Sequence, residues 1–180
     1  MARATLPLLL VASLLGVPAC GGASSSGDGA SSPAGGGHPL IGSAGPDFSQ
    51  TAVANGSGGV SLHALQGKVA IVDFWATRCG PCKKSFPKLQ ELNVKYKASG
   101  LAIVGISEDD DKSGIAGFAD ELGAKFPLAW DADKSIAGKW QPKSMPSTFI
   151  LDRKGVVRFV HLGYHDGEEA DIERELKSLM

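Results

Sequence analysis

Two cysteines, Cys79 and Cys82, stand three positions apart with Gly80 and Pro81 between them. That spacing lets the sulfurs close a small ring without unwinding a helix, so the pair can cycle between dithiol and disulfide. It falls where an apolar run, Val69 to Trp75, gives way to a helical pattern, which sets Cys79 at a helix N-terminus. Free amides and aligned peptide dipoles there favour an anion. The Cys79 thiol is therefore expected to ionise below the ~8.5 of free cysteine, and the thiolate is the attacking species in disulfide exchange. Cys82, tucked inward one turn behind, is the expected resolving thiol, and Pro81 pins the backbone between the sulfurs. Asp73 interrupts the apolar run six residues before Cys79. Burial without a partner would penalise its charged form and raise its pKa.

The elements needed to hold this group are legible as an alternation of short β-branched runs and longer helical ones, the pattern of an α/β domain. Val69–Trp75 and Leu101–Ser107 read as central strands, because near-continuous apolar runs suit a sheet covered on both faces. Between them, Cys82 to Lys97 carries Phe86, Leu89 and Leu92 at helical spacing, and Gly100 ends it. Short helices are expected over Ile115–Leu122 and Ile136–Trp140, then a strand over Ser147–Leu151. Asp152-Arg-Lys-Gly155 turns the chain into a hairpin with Val156–Leu162, and Glu168–Met180 closes the domain as a helix with Ile172, Leu176 and Leu179 inward. Upstream, Phe48–Ala52 and Val60–Leu62 are expected to flank an Asn55-Gly-Ser-Gly58 turn.

The segment Val72-Asp-Phe-Trp-Ala-Thr-Arg-Cys-Gly-Pro-Cys-Lys83 resembles the active-site stretch of thioredoxins, and the chain from Asp47 onward is similar to the exported TlpA/ResA-like branch of that superfamily. Pro87 falls where these proteins kink the active-site helix, Gly67-Lys68 opens the strand as in that branch, and Met145-Pro146-Ser-Thr-Phe-Ile150 resembles the family's cis-proline loop. The resemblance implies a thioredoxin-like fold: a central mixed sheet flanked by helices, with an N-terminal β-hairpin and a central βα-type insertion. It implies that Met145, Pro146 and Trp75 meet an extended substrate beside the dithiol. Asp73 is implied as the general base that takes the proton of the resolving cysteine. Arg78 stands where the family usually has Trp. A guanidinium there would join Gly80 and Pro81 in tuning Cys79, stabilising the thiolate and moving the couple toward a more oxidising potential.

The implied activity is thiol:disulfide exchange with cysteines of other proteins, more as reductant than oxidant, in cytochrome c maturation or disulfide repair. A membrane thiol carrier of the DsbD/CcdA type would recharge the dithiol, with no organic cofactor and no metal. Three other readings stand against it. Peroxiredoxins share the architecture, but Phe74-Trp-Ala-Thr-Arg-Cys79 lacks their proline and displaces the threonine. A copper-handling role would need a histidine such as His161 or His165 beside the dithiol, and these read as surface residues. A binding module would hold Cys79 and Cys82 as a fixed, buried disulfide. Glu108-Asp-Asp-Asp111 reads as a solvated acidic loop.

Composition narrows the classes further. The chain has 180 residues, 43% hydrophobic and 21% charged, with a formal net charge of -1. That balance removes the electrostatic basis for binding nucleic acid or a polybasic approach to a membrane. Residues 1–19 carry Arg3, an apolar run from Leu6 to Val17 and small residues before Cys20, the layout of a secretory signal. The run is too short for a stable membrane span, which needs ~20 residues. Val17-Pro-Ala-Cys20 resembles a bacterial lipobox, implying a lipid-anchored exported protein that meets the membrane only through Cys20. Residues 20–46, rich in Gly, Ser, Ala and Pro, read as a flexible tether with a reach of roughly 30 Å, and residues 47–180 as the domain.

Overall fold

A computed structural model describes residues 37–180; the expected leader, Cys20 and the first part of the tether lie outside them. Seven strands form one mixed sheet in the order β2-β1-β5-β4-β3-β6-β7. They are β1 Ser49–Ala54, β2 Gly59–Ser61, β3 Val69–Trp75, β4 Leu101–Ser107, β5 Leu128–Trp130, β6 Ser147–Leu151 and β7 Val157–Leu162. The helices are α1 Leu62–Leu65, α2 Gly80–Tyr96, α3 Ile115–Glu121, α4 Ser135–Trp140 and α5 Glu168–Leu179. β3 pairs parallel with β4 and antiparallel with β6, and all seven of its residues are buried.

Alternation along β3 divides the core. Val69, Ile71 and Trp75 face a cluster built by Phe86 and Leu89 of α2, Phe118 of α3 and Leu176 of α5. Ala70, Val72 and Phe74 face the opposite cluster, where Trp140 of α4 meets Phe48, Phe74 and Phe149 edge-on or tilted. The N-terminal hairpin pairs Ser49 with Ser61 and Thr51 with Gly59, as the turn chemistry predicts. The insertion between β4 and β6 is α3-β5-α4, and its strand β5 joins β4 in parallel while accepting β1 antiparallel on its other edge.

Residues 38–46 were expected in the tether but pack on the domain. His38 is buried, edge-on to Phe149; the Gly42 amide donates to Val157; and the Trp140 indole donates to the Pro46 carbonyl at 3.0 Å. His38, Leu40 and Ile41 break the Gly/Ser composition and supply the apolar surface that offsets ordering of this stretch.

Candidate active site

Strand β3 delivers its last residue to the sheet edge, and after Ala76-Thr-Arg the chain enters α2 with Cys79 as its N-cap. The Cys79 sulfur accepts the Cys82 backbone N–H at 3.1 Å, so the amide that the helix leaves free points at this sulfur. Gly80 and Pro81 fill the first turn, where proline's missing N–H costs nothing. The two cysteines form a disulfide in the described state, with Cys79 9% exposed and Cys82 fully buried. Attack from outside can therefore reach only the Cys79 side. Pro87 lies inside α2, as expected.

Pro146 enters β6 beside the end of β3, because Ser147 pairs with Phe74 in antiparallel register. The cis-proline loop and the dithiol therefore emerge at one edge of the sheet. The Met145–Pro146 bond is cis, and the half-buried Met145 packs against the apolar cluster that holds both cysteines. Among the described residues, no hydrogen bond takes the Met145 backbone N–H or C=O. That leaves an extended segment beside the dithiol with free donor and acceptor for a docked strand. Trp75, expected to face substrate, does not: its ring is fully buried, stacked on Phe118 and 4.6 Å from Phe86. Its odd position in β3 turns it to the helix-covered face, under the dithiol rather than beside it.

Asp73 shares that face with Ile71 and Trp75, the side from which α2 presents Cys82. The carboxyl is wholly buried. Thr148 on β6 donates its hydroxyl to Oδ1 at 2.7 Å, while Oδ2 has no partner among the described residues. Burial pushes the carboxyl from 3.8 up to about 7; the Thr148 hydrogen bond opposes the rise and the Glu168 charge adds to it.

Arg78 is placed differently from expectation. Its guanidinium, 60% exposed, lies 3.6 Å from Asp109, so its charge is shared with a carboxylate on the loop after β4. Asp109 is a site residue that the sequence alone does not reveal, since the acidic run Glu108–Asp111 reads as solvated. Glu108 and Asp109 are in fact buried. Asp109 accepts the Thr77 amide at 3.0 Å, the Thr77 hydroxyl at 2.8 Å and the Ser107 hydroxyl at 2.9 Å, tying the approach to Cys79 onto β4. With Thr77, Arg78 and Ser113 it lines a cavity of about 270 Å³ beside the dithiol. Asp110 and Asp111 remain exposed, as a solvated loop should be. A larger cavity, about 380 Å³, lies against β2 and the start of β4, away from the sulfurs.

His161 was read as a surface residue and is 3% exposed, with both ring nitrogens engaged by glutamates. Both its ring nitrogens are taken, so of the two histidines the copper reading named, His161 has none left to offer a metal. His165 is exposed, as expected.

The model of the family described as Redoxin matches residues 40–176. The chain is 35% identical over 98 residues to the thiol-disulfide oxidoreductase ResA of Bacillus thuringiensis, covering 54% of this chain and 57% of that protein. It is 31% identical over 139 residues to ResA of Geobacillus kaustophilus, covering 77% of this chain and 78% of that one. The first of these alignments thus spans little more than half of the relative's length. Among solved structures, a Chlorobium tepidum protein assigned as the thiol:disulfide interchange protein DsbE superposes with a TM-score of 0.73 at 31% identity, covering 77% of this chain and 96% of its own.

Proposed function

The chain belongs to the Redoxin family, as a TlpA/ResA-like member of the thioredoxin superfamily, and from that premise we propose that it is an extracytoplasmic thiol:disulfide oxidoreductase acting on protein substrates through Cys79 and Cys82. The observation that carries the reading is the asymmetry of the pair: Cys79, amide-bonded at the start of α2, keeps 9% of its residue surface, and Cys82, on the Asp73 side, keeps none. In the reducing direction the Cys79 thiolate attacks a substrate disulfide, forming a Cys79–substrate bond and releasing the first substrate thiolate. Cys82 then passes its proton to Asp73 and attacks the Cys79 sulfur. The Cys79–Cys82 disulfide forms, the second substrate thiolate leaves and is protonated, and the substrate has gained the two electrons the enzyme lost. Met145 holds the substrate strand through its free backbone N–H and C=O, while Pro146, whose carbonyl already accepts the Gly163 N–H at 2.7 Å, shapes the loop beside it.

The oxidised pair is returned to the dithiol by a membrane thiol carrier of the DsbD/CcdA type. The role is that of a reductant, in cytochrome c maturation or disulfide repair. Export and anchoring follow from the leader and from Cys20 as the lipidation site, which places the domain on the outer face of a bacterial membrane with a tether between. No organic cofactor or metal takes part in the exchange. Neither the peroxidase nor the copper-handling reading is favoured by a specific feature of the site.

A Cys82→Ser trap tests the activity: substrate proteins should accumulate in cells as disulfides to Cys79 and disappear in Cys79→Ser/Cys82→Ser. A variant that captures nothing and a wild type that fails to reduce insulin would reject exchange in favour of a fixed disulfide. Fatty-acid labelling lost in Cys20→Ser tests the anchor separately.

A further inference from the structure

A polar row crosses the sheet under the dithiol. Asp73 on β3 stands opposite Thr148 on β6, and Thr148 stands opposite His161 on β7, so all three side chains share the face covered by α2 and α5. From α5, Glu168 Oε1 lies 3.1 Å from His161 Nδ1 and Glu175 Oε2 lies 2.7 Å from His161 Nε2. The three side chains are 3%, 4% and 8% exposed for His161, Glu168 and Glu175. The glutamates are seven residues apart, two turns of one helix face, set within the apolar stripe of Ile172 and Leu176.

Packing alone gives no reason for such a group. Buried ion pairs are commonly matched or bettered by apolar side chains of similar volume, so three buried ionisable groups in one stripe imply another demand on the charges. A carboxylate faces each ring nitrogen, and these two contacts draw the imidazole's pKa up to about 9 against the effect of burial, so the clamp favours the form with hydrogen on both nitrogens. The clamp is then one cation between two anions, with a net charge of -1 beside the Asp73–Thr148 pair. Glu168 extends it outward, taking the His165 backbone N–H at 3.4 Å.

We infer that His161, Glu168 and Glu175 are positioning residues for the resolving step: they place a compensated but net negative charge behind Asp73, so that its carboxyl holds the proton given up by Cys82. The inference rests on the reading of Asp73 as base. An ordinary carboxylate near 3.8 is a poor acceptor for a thiol proton near ~8.5, and burial plus the Glu168 charge brings the acid within reach of the thiol. Thr148 from β6 bonds Asp73 directly and the Glu168 charge from α5 reaches it; His161 on β7 lies one strand further, behind Thr148, with Glu175 on its Nε2, α2 covers the same face with Cys82, and β4 places Gly105 opposite.

The test is a ¹³C titration of the Asp73 carboxyl in the oxidised full-length chain, with ¹⁵N shifts of the His161 ring. Wild type should show both His161 nitrogens protonated at pH 7. Glu168→Gln should lower the Asp73 midpoint by at least half a pH unit, about threefold in proton affinity, and Glu175→Gln by clearly less. A neutral His161 in wild type, an unmoved midpoint in Glu168→Gln, or equal shifts in both variants overturns the inference, and the wild-type measurement stands even where a variant does not fold. The base assignment fails separately: Asp73→Asn would then leave the rate of mixed-disulfide resolution unchanged across pH, whatever the midpoints do.

Discussion

Burial makes the Asp73 carboxyl a usable base, and the same burial weighs against the fold. The folded chain holds this proton up to about 7, the unfolded chain only to 3.8, so the folded state binds more protons in between and stability falls as pH rises through that window. Asp73→Asn keeps the shape and the Thr148 contact without the charge. It should stabilise the oxidised protein at pH 8 by about 4 kcal/mol relative to wild type and by nothing below pH 3.5, read from urea unfolding. The same variant should slow mixed-disulfide resolution at pH 7 at least ~100-fold, the lower reach of general-base assistance. Around Cys79 the deciding pair is Arg78 and Asp109. With the guanidinium 3.6 Å from that carboxylate, Arg78→Trp should make the couple more reducing only slightly, less than ~3-fold in its exchange constant with glutathione. Asp109→Asn removes an anion and releases the cation, so the Cys79 thiol should ionise at lower pH. Thiolate absorbance of the reduced protein checks this, and the shift should shrink when Arg78→Gln is added.

Among the elements, β3 and α2 were legible because their signals are local: a seven-residue apolar run interrupted by one acid, then a dithiol, a proline and three apolar residues at helical spacing. The substrate loop was legible only through the resemblance of Met145-Pro146. What escaped the sequence depends on distant partners. β5 is three residues long, Leu128–Trp130, and exists because β4 and β1 flank it. Glu108 and Asp109 look like solvent-loving residues in one dimension; Thr77, Ser107 and Arg78, brought by the fold, satisfy Asp109. His161 likewise looks like a polar residue free to meet solvent near the end of its strand until α5 returns to cover it. Gly105 shows the same dependence. It lies across from Asp73, and a Cβ there would sit 2.6 Å from Leu128 and 2.9 Å from the Trp75 indole nitrogen. Gly105→Ala must therefore push β5 or the Trp75 ring aside, costing ~1–3 kcal/mol and moving the near-UV signal of Trp75. An unchanged urea midpoint would mean that the β4–β5 contact yields without loss.

For the molecule as a whole, the charges that matter are inside it. The formal net charge is only -1, so global repulsion is weak and the pH dependence of stability should be set by a few buried groups. Two of them pull in the same direction over successive windows. Asp73 withdraws stability between pH 4 and 7. His161 loses affinity for its proton through burial but gains more from Glu168 and Glu175, ending at about 9 against 6.5 in the unfolded chain. A raised histidine contributes stability that is complete below pH 6.5 and disappears as pH climbs through 9. The oxidised protein should thus soften in two stages, the second worth about 3 kcal/mol, or roughly 6–12 °C in Tm for a domain of this size. His161→Gln separates the stages. It abolishes the loss between pH 6.5 and 9 while leaving the Asp73 stage below it in place. Scanning calorimetry at pH 5, 6.5, 8 and 9 reads both stages. If the variant and the wild type lose the same Tm between pH 6.5 and 9, the imidazolium is not what holds α5 on the sheet.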